Sequence, residues 1–131
     1  MVKVCRMKAL LILTLLMPTL AKAHTPLECA AQIAFSESRG ESVEGAVAIF
    51  HALYNRAKRM GVANFCKLKG VTFKKIPDAM RLHYLSLAKT ALMSKSIVSD
   101  ADSWNTGKEM HHKGDIKRQI GKHVFYRMSA L

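Results

Sequence analysis

The run from Pro26 to Ser38 places Ala30, Ile33, Ala34 and Glu37 at i, i+3, i+4 and i+7, one face of a helix. Gly40 follows, a residue that takes the left-handed conformation in which helices end. A second helix is predicted after Ser42. Serine is a good N-cap, and Glu44 falls in the first turn, where the helix dipole favours negative charge. Its sequence, VEGAVAIFHALYNRAKRM, is apolar on most sides through Phe50, the mark of a central buried helix, and Gly61 stops it. GVANFCKLKGVTFKK follows neither period and is expected to be irregular, with a short strand at most. Pro77 suits a first helical turn, so a third helix starts near it, with Tyr84, Leu85, Ala88, Ala91 and Leu92 as its apolar stripe. The remainder reads as loop until HVFYRM, whose β-formers predict a short strand. GDIKRQIGKHVFYRM as a whole reads as a small hairpin. The fold class is mainly α (α+β), a small single domain with a short C-terminal β element.

The pattern changes character at the N-terminus. MVKVCRMK is basic, and ALLILTLLMPTL is apolar but shorter than the roughly 20 residues that span a bilayer. AKA then supplies small residues at the spacing a signal peptidase cuts. Residues 1–23 are read as a secretory signal and 24–131 as one domain, exported to the periplasm or the extracellular space. The whole chain carries +12, and the part after Ala23 about +8. Such a surface is drawn to polyanions, which for an exported protein means anionic wall or membrane polymers rather than nucleic acid. Cys5 leaves with the signal, so Cys29 and Cys66 remain as an even pair in an oxidising compartment. A Cys29–Cys66 disulfide is predicted. It closes a loop of about 37 residues and restrains the unfolded chain by about 3–4 kcal/mol.

FSESRGE, residues 35–41, packs two carboxylates, a guanidinium and a glycine directly after an apolar run. Glu37 shares the face of Ala30, Ile33 and Ala34, so it points from the helix end toward the core side, at the mouth of a groove. Burial disfavours charge, and a partly desolvated carboxyl there has its pKa raised. A glutamic acid that holds its proton near neutral pH is what a general acid needs to protonate a glycosidic oxygen. Glu41 lies beyond Gly40, in the loop beside Arg39, where an Arg39–Glu41 or Arg39–main-chain contact can hold the elbow rigid. The competing reading is that all three charges are solvated and merely link two helices.

ECAAQIAFSESRGESVEGAVAIFHALYNRAKRM, then FC, then IGKHVFYRM, resembles the SleB/CwlJ family of cell wall hydrolases, the spore cortex-lytic type. The matching positions include Cys29, Glu37, Arg39, Gly40, Glu41 and Gly45. Further on they include Asn55, Arg56, Cys66, Ile120, Gly121, His123, Phe125 and Tyr126. The likeness runs over about 28–128. It implies a lysozyme-like fold around one essential glutamate, similar in position to Glu37, and cleavage of peptidoglycan glycan strands. Ser38 stands where the family usually has alanine and Ala46 where it has glutamine. GVTFKKIPDAM and the stretch near EMHHKG also depart from the family pattern, in segments expected to wall the groove.

Two mechanisms fit such a site. Glycosidases ordinarily use two carboxylates about 5–9.5 Å apart. A lytic transglycosylase needs one, because the muramyl C6 hydroxyl attacks its own anomeric carbon. Acids are sparse here, which favours the one-carboxylate scheme, with a hydrolytic muramidase or glucosaminidase as the alternative. Glu37 is the expected catalytic residue. Glu41, Arg39, Trp104, His123 and Tyr126 are expected around the substrate, Trp104 and Tyr126 as flat faces for sugar rings and His123 as a hydrogen-bond partner near Glu37. Asn55 and Arg56 are expected to tie the second helix to neighbouring loops rather than touch sugar. The chain is read as a monomer without a cofactor. A metal site built on His111, His112 and His123 lacks the i, i+4 spacing of a helical zinc site, and none is assigned. Cleavage after Ala23 would expose His24 as a copper-brace terminus, which the helical pattern argues against. A non-catalytic cationic wall-binding protein is the rival from another class.

Overall fold

The computed structural model describes residues 25–106 and 114–131. The segment read as a secretory signal, His24, and the candidate ligands His111 and His112 all lie outside the described residues. Among these residues three helices stand against one small sheet. Helix α1 runs Pro26–Ser38, α2 Val43–Met60 and α3 Asp78–Met93, with a 3-10 turn at Phe65–Lys67. Strands β1 (Ser103–Thr106), β2 (Gly114–Ile120) and β3 (His123–Met128) form an antiparallel sheet in the order β1-β3-β2.

The caps explain the helix bounds. Thr25 precedes Pro26 and its hydroxyl accepts from Glu28 N–H at 3.2 Å. The Ser42 hydroxyl accepts from Gly45 N–H at 3.1 Å, and Gly61 closes α2 with its own N–H on the last carbonyls. Helix α2 is the core. Ala46, Ala48, Ile49, Phe50, Ala52 and Leu53 are all buried, and α1 meets them with Ala30, Ile33, Ala34 and Phe35. The small residues let the two backbones approach closely, while each fully buried large side chain contributes about 1.5–3 kcal/mol. A disulfide joins Cys29 of α1 to Cys66 of the 3-10 turn.

The segment before α3 is irregular apart from a 3-10 turn. Two expectations are corrected. The inward stripe of α3 is Tyr84, Leu87, Ala88 and Ala91, and Leu92 is 59% exposed. Leu87 belongs to that face by the i, i+3 rule, whereas Leu92 lies one position past it. The loop before the hairpin contains β1, which pairs Trp104 with Phe125 and Asn105 with Val124.

Two ionic links fix the sheet to the helices. Asp102, 1% exposed, accepts from Arg59 of α2, from the Ser103 hydroxyl and from Met128 N–H. Arg118 of β2 reaches Glu44 in the first turn of α2 at 2.8 Å and the Ile97 carbonyl at 3.0 Å. Lys117 is the extra residue of a bulge between Ile116 and Arg118. Among the described residues no helix is long and apolar enough to cross a membrane.

Candidate active site

Five parts of the chain converge on one cleft of about 280 Å³. The last turn of α1 supplies Glu37, α2 supplies Arg56, and the loop after the 3-10 turn supplies Gly70. Strand β1 supplies Ser103, Trp104 and Asn105, and β3 supplies Tyr126 and Met128. Glu37 reaches the cleft because it continues the inward face of Ile33 and Ala34 by one turn, just where the helix stops. The stop is built locally. Ser38 turns its hydroxyl back to the Ala34 carbonyl at 2.6 Å and sits 3.3 Å from the Tyr84 hydroxyl, and Glu41 N–H closes onto the Ser38 carbonyl at 2.9 Å. Gly40 makes the turn with φ +81°.

The Glu37 side chain is partly buried, and among the described residues no hydrogen bond or ion pair holds its carboxyl. It is also the one carboxylate lining the cleft among them. Six other acids pair elsewhere: Asp102 with Arg59, Glu41 with His123, Glu44 with Arg118, Glu28 with Arg81, and Asp100 and Asp115 with Lys117.

The sheet side of the cleft carries polar groups. The Asn105 amide donates to the Tyr126 hydroxyl oxygen at 3.0 Å. Burial pushes the Tyr126 phenol above its ordinary range, and nearby Arg56 partly opposes this. The phenol therefore stays protonated and keeps a proton to donate into the cleft.

Of the residues expected around a substrate, Trp104 and Tyr126 share the cleft with Glu37. Arg39, Glu41 and His123 are not among its lining residues. Arg39 is exposed, with its guanidinium 5.4 Å from the Phe35 ring centre. Glu41 and His123 face each other at the β2–β3 turn, with Oε1 3.3 Å from Nδ1 but without the alignment of a hydrogen bond. Asn55 ties α2 to the carbonyls of Ser99 and Ala101 at 2.9 and 2.8 Å, as expected of a linking residue. Arg56 also links, to the Asp102 carbonyl and the Ser103 hydroxyl, yet it lines the cleft as well. Its position was hidden because the strand that forms the opposite wall was itself unread. Among the described residues no group of three His, Cys, Asp or Glu side chains is placed to hold a metal ion.

No protein-family model matches the sequence, and no curated protein matches it. Two solved structures do resemble the fold. One is the catalytic domain of the Bacillus cereus SleB protein, at TM-score 0.63 and 18% identity over 81% of this chain and 94% of that one. The other is the catalytic domain of the germination-specific lytic transglycosylase SleB from Bacillus anthracis, at TM-score 0.62 and 19% identity over 80% of this chain and 96% of that one. The chain has the fold of these catalytic domains over nearly their full length. The small lysozyme-like α+β architecture expected from the sequence is the architecture observed.

Proposed function

We propose that this chain cleaves the glycan strands of peptidoglycan as a lytic transglycosylase, with Glu37 as its single acid and base. The observation that carries this reading is the unpaired Glu37 carboxyl, the one carboxylate lining a cleft whose other walls are neutral or cationic among the described residues. A hydrolase of the two-carboxylate kind needs a second acid across the scissile bond, to act as nucleophile or to activate water. Asp102 is the nearest acid in the sequence to Trp104, and it is consumed by Arg59, Ser103 and Met128. The likeness to a domain described as a lytic transglycosylase supports the same reaction class.

In this scheme Glu37 gives its proton to the bridging glycosidic oxygen as the bond to the muramyl anomeric carbon breaks. The carboxylate then removes the proton of the muramyl C6 hydroxyl as that oxygen bonds to the anomeric carbon. The proton count closes on Glu37, and no water is consumed. Trp104 offers a flat face for a sugar ring, and the Tyr126 hydroxyl and Asn105 amide offer hydrogen bonds to its substituents. The disulfide between Cys29 and Cys66 fits an exported protein working in an oxidising compartment.

Mass spectrometry of digested peptidoglycan tests the reading. Anhydromuramyl ends are expected from the native protein, and none from a folded Glu37→Gln variant, whose loss of general catalysis alone is worth about 10²–10⁴-fold. Reducing ends in place of anhydro ends make the enzyme a hydrolase. Equal clearing by Glu37→Gln and native protein removes Glu37 from the chemistry.

A further inference from the structure

The Arg56 guanidinium has no acidic partner within ion-pair distance among the described residues, although it is partly buried. Its Nη1 makes two long bonds, 3.4 Å to the Asp102 carbonyl and 3.3 Å to the Ser103 hydroxyl. Among the described residues its Nε is buried and without a hydrogen-bond partner. Buried donors are satisfied in the great majority of cases, so a guanidinium short of acceptors on a residue that lines a ligand-sized cleft points to an acceptor that arrives from outside. The chain also makes room for this side chain. Gly70 has φ +76°, and a Cβ there would come within 2.9 Å of Nη2. Among the described residues the cleft thus holds one unpaired cation and one unpaired carboxyl, not paired with each other. A glycosidic oxygen answers to the second; the first calls for a negative charge on the same substrate.

We infer that Arg56 forms a carboxylate subsite beside Glu37, one that takes the acidic group borne on the lactyl arm of a muramyl residue. A guanidinium presents a planar fork of donors that matches a carboxylate, which a neutral N-acetylglucosamine unit lacks. The subsite would set the register of the strand, placing a muramyl unit rather than a glucosaminyl unit next to Glu37. That is the order the internal attack by a muramyl C6 hydroxyl requires. The inference rests on the glycan reading of this cleft. The charge can come from the free lactyl carboxylate of a peptide-stripped strand or from a carboxylate on the first residues of the stem peptide.

Trp104 is the single tryptophan of the chain and lines the same cleft, so its fluorescence reports occupancy. Titration with N-acetylmuramic acid should show binding at least about tenfold tighter than with N-acetylglucosamine, as one charge-assisted contact implies. Arg56→Gln should make the two equal. The methyl ester of N-acetylmuramic acid has the same shape without the charge, and leaves the protein untouched. It should bind as weakly as N-acetylglucosamine. N-acetylmuramyl-L-alanyl-D-glutamate separates the sources: binding as tight as the free acid assigns the stem carboxylate, and weak binding assigns the lactyl one. Equal binding of acid and ester, or a preference that survives in folded Arg56→Gln, overturns the subsite. Because the readout is binding, a protein that prefers the acid but leaves strands whole refutes only the enzymatic reading. One that cuts strands with no preference refutes only the subsite.

Discussion

Nδ1 of His123 lies 3.3 Å from Oε1 of Glu41, and the two side chains are 9% and 10% exposed. This pair clasps the α1–α2 elbow to the β2–β3 turn, 82 residues away in the chain. Helix α1 ends at the elbow with Glu37, and β3 leaves the turn toward Tyr126. The clasp therefore sets the distance between two walls of the cleft without entering it.

Gly121 completes the clasp. It holds φ +58°, and a methyl group there would collide with the Glu41 carboxylate. Gly121→Ala should destabilise the fold by about 1–3 kcal/mol, through backbone strain and displacement of Glu41. Glu41→Ala should cost a similar amount, about 1–3 kcal/mol, by removing the carboxylate that packs beside the buried His123 ring and the Gly121 turn. The double variant should be less unstable than the sum, because the collision disappears with the Glu41 side chain. Denaturant melts of the four proteins measure this, and strict additivity would mean that the two groups do not meet.

On the glycan reading the flat face of Trp104 meets a sugar ring equally in ground and transition states, so its loss should appear in KM rather than kcat. Trp104→Ala should raise KM for solubilised strands about tenfold, equivalent to about 1.4 kcal/mol of binding, with kcat changed little. The indole also packs on the core, so a melting curve belongs beside the kinetics. Trp104→Phe keeps a flat ring and should recover most of the affinity. A fall in kcat with unchanged KM would instead put Trp104 in the chemistry.

His51 makes the stability of the fold depend on pH. It is buried in α2, its Nε2–H donates to the Ala91 carbonyl at 2.9 Å, and its Nδ1 accepts from Ile97 N–H at 3.1 Å. Only the neutral ring can do both. Burial lowers its pKa from 6.5, opposed in part by the bond to Ala91. The unfolded chain takes up a proton below about pH 6.5 that the folded chain resists, so the unfolded state binds more protons there and stability falls as pH falls. The contribution is full above about pH 7 and is lost progressively below about pH 6.5. Thermal melts of native protein should decline from pH 7 to pH 5 more steeply than those of His51→Gln, which cannot titrate. Parallel curves would assign the slope to other groups.

What could be read from the chain beforehand was what depends on neighbours in sequence. Ser42 and Gly61 bound α2 because a cap acts within one turn, and Glu37 was placed by the four-residue step from Ile33. What escaped notice depends on partners far away. Ser-Trp-Asn-Thr has no alternation of its own and is a strand because β3 pairs with it. The clasp of Glu41 with His123 and the place of Arg56 beside β1 follow from that same sheet, so neither is legible in the local sequence. Glu41 and His123 were expected around a substrate, and among the described residues they face each other outside the lining of the Glu37 cleft.

The disulfide links these two classes of feature, since Cys29 belongs to a well-read helix and Cys66 to a turn with no period. It closes a loop spanning 37 positions that contains α2, the elbow and most of the core. The chain-entropy cost removed from the unfolded state is about 3–4 kcal/mol, a large share of what a domain of this size has to spare. Paired replacement, Cys29→Ser with Cys66→Ser, should therefore lower the unfolding free energy by that amount, read as a fall in the denaturant midpoint of that energy divided by the m-value. The turn also leads into the loop that carries Gly70 against Arg56, so releasing it loosens one wall of the cleft. The variant, assayed well below its melting temperature, should show a raised KM while its products stay the same. Unchanged KM with reduced stability would confine the bridge to holding the helices. Unchanged stability would mean that the packing of α1 on α2 holds the loop closed without it.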